Sequence, residues 1–238
     1  MNLLLLDEKD ITGPNTAVIS DERLQHVITV LSSKLGDTLS VGLINGNMGK
    51  ALITALDTKA LHLQFVLDKT PPAPLPLTVV LALPRPKMLR RIVHNIAEFG
   101  IKELHLIHSF KVEKSYWQTP WLDEAQLNAF LLNGLSEAKD TVLPKVFLHK
   151  RFKPFVEDTL PLIIDNKEAF IAHPYCNDPM PCASSNERVI VIGPEGGFTP
   201  YEVDLIRQQG VNAFHMGERI YKVENALTLL SGQLSIAH

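Results

Sequence analysis

With 238 residues, 45% of them hydrophobic and 21% charged, the chain carries enough apolar material for one large domain or two modest ones, which excludes a largely disordered protein. The 23 basic and 26 acidic residues leave a net charge of -3, so any nucleic-acid contact has to come from a local basic patch and not from a globally cationic surface. Cys176 and Cys182 are the only cysteines, which excludes a disulfide framework, and no apolar run approaches the roughly 20 residues that cross a bilayer. The chain therefore reads as cytoplasmic, without a membrane partner.

Leu3 to Leu6 run straight into Asp7-Glu8-Lys9-Asp10, so they lack the basic flank and the length of a signal peptide. A helix is predicted over Asp21 to Leu31, capped by Ser20, with apolar residues at Leu24, Val27, Ile28 and Leu31. Strands are predicted over Thr38 to Ile44, Ala51 to Leu56 and Leu61 to Val66. Asn45-Gly46 lies between the first two and signals a hairpin, because both residues tolerate positive φ. Residues 1–70 thus read as a small β-barrel or sheet domain. Four prolines follow within Thr70 to Pro76, denying the backbone its donors and favouring an extended connector, so 71–76 is the predicted linker.

Residues 77–238 alternate strand and helix. Strands are expected at Leu77 to Leu83, Glu103 to Ile107, Leu160 to Ile164, Ala169 to Ala172, Val189 to Gly193 and Asn212 to Met216. Helices are expected at Lys87 to Phe99, stopped by Gly100, and at Pro120 to Lys139. Thr199-Pro200-Tyr201-Glu202 matches a capping box with proline at the first helical position, and Gly210 ends that helix. A last helix is predicted from Glu224 to Ile236, with Leu227, Leu230, Leu234 and Ala237 among its apolar residues. This alternation implies an α/β domain with a mostly parallel sheet covered on both faces.

Two turns carry candidate chemistry. Val189 to Ile192 end in Gly193-Pro194-Glu195-Gly196-Gly197-Phe198, a glycine-rich turn between a buried strand and a capped helix. Ligands gather at the carboxyl ends of strands in open α/β sheets, and glycine lets them approach the backbone. The turn is neither a P-loop nor a G-x-G-x-x-G dinucleotide site. The second turn, Met216-Gly217-Glu218-Arg219-Ile220-Tyr221-Lys222-Val223-Glu224, also leaves a strand and enters a helix, so the two can meet over one pocket. Read alone, the first is as readily only a tight turn, and the second is more readily a surface loop with solvated charges. Lys87, Arg90, Arg91 and His94 fall at i, i+3, i+4 and i+7, and residues 84–94 contain no acid. That stripe is either a solvated face or a phosphate-binding one.

Gly193 to Phe198, spaced as they are from Met216 to Ile220 and Glu224, resemble the RsmE-type 16S ribosomal RNA uridine methyltransferases of the SPOUT superfamily. Supporting matches are His26-Val27-Ile28, Leu35-Gly36-Asp37, Glu98 to Ile101, Glu137-Ala138 and His173-Pro174, so the resemblance spans nearly the whole chain. It implies a PUA-like RNA-binding β-domain followed by an α/β domain with a deep trefoil knot, which topology rules alone would have excluded. It further implies a homodimer that uses S-adenosylmethionine to methylate ring nitrogen 3 of a uridine in 16S rRNA or the small ribosomal subunit. By the same resemblance, cofactor contacts fall on Ala172, His173, Pro174, Gly193, Pro194, Glu195, Gly196, Gly197, Met216, Gly217 and Ile220. Methyl transfer to uracil needs the base held in line and the developing anion stabilised. Arg219 is the first candidate for that, then Lys222. Glu224 either orients them or takes the proton, or is a helix N-terminal carboxylate.

Several positions depart from the family. Asn95 stands where lysine is usual, Lys222 for arginine and Asn225 for threonine. Phe110-Lys111 replaces Glu-Arg, and Lys139-Asp140-Thr141-Val142 lacks the following glutamine and a later arginine. Lysine does not reproduce the planar fork of arginine. The cofactor loop keeps the family pattern while the substrate side has changed, so an RNA-binding pseudoenzyme is the alternative to an enzyme. A zinc site at His173, Cys176 and Cys182 lacks a fourth ligand, and no metal is expected. His105 and His108 read as structural.

Overall fold

The computed structural model describes residues 2–234 and divides into two compact units. One comprises residues up to Pro72 together with Leu132–Leu143, the other Ala73–Leu131 and the chain from Pro144 onward. The first unit holds strands β1 (Leu4–Leu6), β2 (Ile11–Gly13), β3 (Thr16–Ile19), β4 (Thr38–Leu43), β5 (Met48–Leu56) and β6 (Leu61–Lys69) in the order β1-β4-β5-β6-β3-β2. Only the β1–β4 pair is parallel. Buried and exposed residues alternate along β5 and β6, as a half-buried sheet requires, and the inward set packs with Leu24 and Val27 of α1 (Glu22–Thr29). The turn joining β4 to β5 has Asn45 at φ 60°, and Gly46 N–H donates to Leu43 O.

Helix α1 begins later than its sequence pattern predicts, and its cap is Asp21 in place of Ser20. The Asp21 carboxylate accepts from Arg23 N–H at 3.0 Å, and a carboxylate is also favoured by the dipole there. Arg23 then grips buried Asp10 through both Nη atoms, at 2.7 and 2.9 Å. Strands β1 to β3 are absent from the sequence prediction because three or four residues are too few to display a period.

Residues 132–143 complete this unit. Ser136 Oγ donates to Leu3 O at 2.7 Å, Thr141 Oγ1 donates to Gly46 O, and Leu143 N–H donates to Asn45 Oδ1 at 2.9 Å. Gly42 has no room for a side chain, since a Cβ there would lie 2.5 Å from Thr141 Cγ2.

The second unit is a parallel sheet of β7 (Leu77–Ala82), β8 (Glu103–Ile107), β9 (Lys145–His149), β10 (Glu168–Ala172), β11 (Arg188–Ile192) and β12 (Asn212–Phe214), ordered β12-β10-β11-β7-β8-β9. Every residue of β7 and β11 is buried. Successive strand side chains point to opposite faces, so both faces of the sheet are covered. The helices are α2 (Pro86–Glu98), α3 (Glu124–Ala138), α4 (Phe152–Pro154), a π-helical turn at Phe155–Thr159, α5 (Leu160–Ile163), α6 (Pro200–Gln208) and α7 (Val223–Leu234). The C-terminal part of α3 belongs to the first unit.

Three expectations are corrected. Leu160 to Ile164, predicted as a strand, are helical: Pro161 sits in the first turn, and Phe155, Val156, Leu160 and Ile163 form one buried face. The edge strand β9 takes the place in the sheet that the prediction left open. The helix predicted from Pro120 to Lys139 is broken at Asp123 into a 3-10 turn (Pro120–Leu122) and α3, and ends before Lys139, which has φ 59°. The predicted end of the last helix, Ile236 with Ala237, lies outside the described residues. At the sheet edge, His105 Nε2 meets Glu103 Oε1 at 2.7 Å and His105 Nδ1 meets His149 Nε2 at 3.0 Å. His108 instead accepts from Trp117 Nε1 at 3.0 Å.

Candidate functional site

Three turns leave the carboxyl ends of β10, β11 and β12 and enclose a cavity of about 320 Å³. The first supplies Ala172, His173, Pro174 and Tyr175. The second supplies Ile192 to Phe198, and the third Met216, Arg219 to Val223 and Ala226. Gly193 is tightly placed: a Cβ there would lie 3.1 Å from the Phe198 ring and 3.3 Å from Phe198 N. Gly197 adopts φ 68° and Gly217 φ 91°, both in the left-handed region. Turn 194–197 closes with Gly197 N–H donating to Pro194 O at 2.7 Å.

The loop is held from outside. Glu202 caps α6 reciprocally with Thr199, and its other oxygen accepts from Phe110 N–H at 2.7 Å. Lys111 Nζ donates to Gly196 O at 2.6 Å. Arg85 N–H donates to Glu195 Oε1 at 3.3 Å, with the Arg85 Nε 4.0 Å from the same oxygen.

Of the residues singled out in the sequence, Ala172, His173, Pro174, Gly193, Pro194, Glu195, Gly196, Gly197, Met216, Arg219, Ile220 and Lys222 line the cavity. Gly217 does not line it, but shapes the third turn, its N–H donating to His215 Nδ1 at 3.1 Å. Glu224 also lies outside the lining, in the first turn of α7. Lys87, Arg90 and Arg91 are exposed on α2 and His94 is half-buried, away from the cavity lining. Sequence reasoning gives no cavity role to Tyr175, Phe198 or Tyr221, although each adjoins a residue already singled out; it notes Lys111 only as a departure from the family on the substrate side, whereas Lys111 meets Gly196 of the glycine turn across 85 positions.

Arg219 and Lys222 are exposed at the cavity with no ion-pair partner among the described residues. Burial, reinforced by the charge of Arg207, lowers the His173 pKa and keeps its imidazole neutral at pH 7. Cys176 Sγ contacts His173 O at 3.2 Å, and no three metal-ligating side chains converge among the described residues. The result is a mostly apolar cavity lined by a glycine backbone cradle and by these two cations. It suits a small molecule that approaches the main chain and a partner on which negative charge develops.

Residues 71–235 match the model of the RNA methyltransferase domain. The chain belongs to the RNA methyltransferase family. Among proteins of this family, ribosomal RNA small subunit methyltransferase E of Treponema pallidum is 29% identical over 95% of this chain and 87% of its own length. Ribosomal RNA small subunit methyltransferase E 1 of Borreliella burgdorferi is 24% identical over 95% of this chain and 94% of its own. The fold is shared with the crystal structure of a ribosomal RNA small subunit methyltransferase E from Neisseria gonorrhoeae bound to S-adenosyl methionine. That match has a TM-score of 0.76 at 16% identity and covers 97% of this chain and 95% of the other. No described helix is long and apolar enough to cross a membrane.

Proposed function

We propose that the protein is an S-adenosylmethionine-dependent methyltransferase acting on ring nitrogen 3 of a uridine in 16S rRNA. The observation that carries this is the convergence of two glycine turns, Gly193 to Gly197 and Met216 to Ile220, on one cavity beside Arg219 and Lys222, which have no ion-pair partner among the described residues. A site whose turns are built on glycine, with little space for a Cβ at Gly193 and a positive φ at Gly197, fits a ligand held by main-chain groups, as the cofactor would be by Ala172 to Pro174, Gly193 to Gly197, Met216 and Ile220. When bound, S-adenosylmethionine supplies an electrophilic methyl group. The chain's part is to orient the uracil and to hold the negative charge left when the ring nitrogen loses its proton. Arg219, seconded by Lys222, does the latter.

Glu224, outside the lining, is better placed to favour the α7 N-terminus than to touch substrate. Lys87, Arg90, Arg91 and His94 are proposed to contact RNA phosphates. The trefoil-knotted SPOUT topology, a PUA-like first unit spanning 1–70 and a homodimeric assembly belong to the same reading, which the whole-length likeness to small subunit methyltransferases supports.

The test is calorimetric titration with S-adenosylmethionine, followed by mapping of methylated uridine in 16S rRNA from cells with and without the gene. Micromolar binding and one methyl mark lost with the gene are expected. Absence of both would return the protein to an RNA-binding role without catalysis.

A further inference from the structure

We infer that Lys111 is a positioning residue for the cofactor loop, setting the Gly196–Gly197 peptide in the orientation the cavity needs. This rests on the cofactor reading above. Gly196 and Gly197 both line the cavity, and neither has a Cβ to restrict its backbone. A peptide between two glycines has the widest choice of orientations in the chain, so something else has to hold it. Both of its polar ends are in fact held. Gly197 N–H donates to Pro194 O at 2.7 Å, and Gly196 O accepts from the Lys111 ammonium at 2.6 Å. The second bond is charge-assisted and short.

The arm that delivers it is itself anchored. Phe110 N–H is bound at 2.7 Å by Glu202, a buried carboxylate already committed to the α6 cap. Lys111 therefore leaves a fixed point. Its stem lies against Gly196 so closely that a Cβ there would sit 2.9 Å from Lys111 Cδ, so glycine at 196 and lysine at 111 fit together. Lys111 lies outside the cavity lining, so its influence on a ligand passes through the peptide.

The experiment compares wild type, Lys111→Met and Lys111→Arg by calorimetric titration with S-adenosylmethionine, by thermal melting without ligand and by steady-state methylation of 30S subunits. Methionine keeps the stem and loses the donor, whereas arginine keeps a donor. Lys111→Met is expected to bind about tenfold more weakly, the equivalent of one charged hydrogen bond. Its ligand-free melting temperature should stay that of wild type, and the defect should appear in the KM for S-adenosylmethionine more than in kcat. Lys111→Arg should recover most of the affinity. Wild-type affinity in Lys111→Met overturns the inference and leaves the cofactor reading standing. So does a loss that follows a lowered melting temperature and that arginine does not restore. No binding by wild type itself overturns both.

Discussion

Arg219 lines the cavity, exposed and without an ion-pair partner among the described residues, so its charge is available to whatever enters. Preorganised charge of this kind matters most when the partner is negative only at the moment of reaction. Arg219→Ala is accordingly expected to lower kcat about 100-fold while changing S-adenosylmethionine affinity by less than about twofold. Single-turnover methylation with parallel titrations measures both, and wild-type turnover in the variant removes Arg219 from the chemistry. At this scale the sequence is most readable where glycine is favoured. Gly193 and Gly197 announce themselves because space is short at one and φ is positive at the other. The resemblance marks Lys111 only as a departure on the substrate side; its hold on the glycine turn is not legible, since the partner lies 85 positions away.

Among the elements, α2 carries the basic stripe, with Lys87, Arg90 and Arg91 exposed and the opposite face, Leu89, Ile92, Val93 and Ile96, fully buried. Replacing the three cations by alanine should leave the fold intact and weaken RNA binding. It should also flatten the dependence of log K on log salt by about 1 for each phosphate that is no longer neutralised. An unaltered slope would make the stripe a solvated face only. The β8–β9 edge makes a different prediction. Burial lowers the pKa of His105, and burial with the neighbouring His105 lowers His149 to about 4 from its ordinary 6.5. Between those values the unfolded chain binds protons that the folded chain refuses. Stability is therefore complete above pH 6.5 and is lost as pH falls towards 4, below which His149 takes no more. Urea unfolding at pH 7 and pH 5 should show this fall, and His149→Gln should reduce it; an equal fall in both proteins would acquit the pair.

The same contrast governs how well elements can be read. The α6 capping box is visible because cap and carboxylate lie three residues apart. Leu160 to Ile163 and Lys145 to His149 are not, because short apolar runs fit strand and helix equally until neighbours arbitrate.

For the whole molecule, the informative fact is that the first unit is built from two stretches of chain. The prolines at 71–76 predict where the chain leaves it, but no contiguous reading contains the return of 132–143, since hydrogen bonds such as Ser136 Oγ to Leu3 O join residues 133 apart. The fit of Thr141 against Gly42 tests that return. Gly42→Ala is expected to destabilise the protein by about 1–3 kcal/mol through overpacking, and Thr141→Ser, which removes Cγ2 and keeps the hydroxyl on Gly46 O, should restore part of it. A double-mutant cycle by denaturant unfolding reads the coupling, and strict additivity would show that this fit does not matter.

The order in which the chain is made gives that discontinuity a further meaning. On a translating ribosome the first 72 residues emerge well before 132–143 exist, and at about 5–20 residues per second the intervening stretch takes several seconds to synthesise. Throughout that interval Leu3 O, Gly46 O and Asn45 Oδ1 wait without the groups that will bind them. Completion of the amino-terminal unit thus waits for the carboxyl end of α3 to leave the exit tunnel, by which time residues 73–131 of the second unit have already been made.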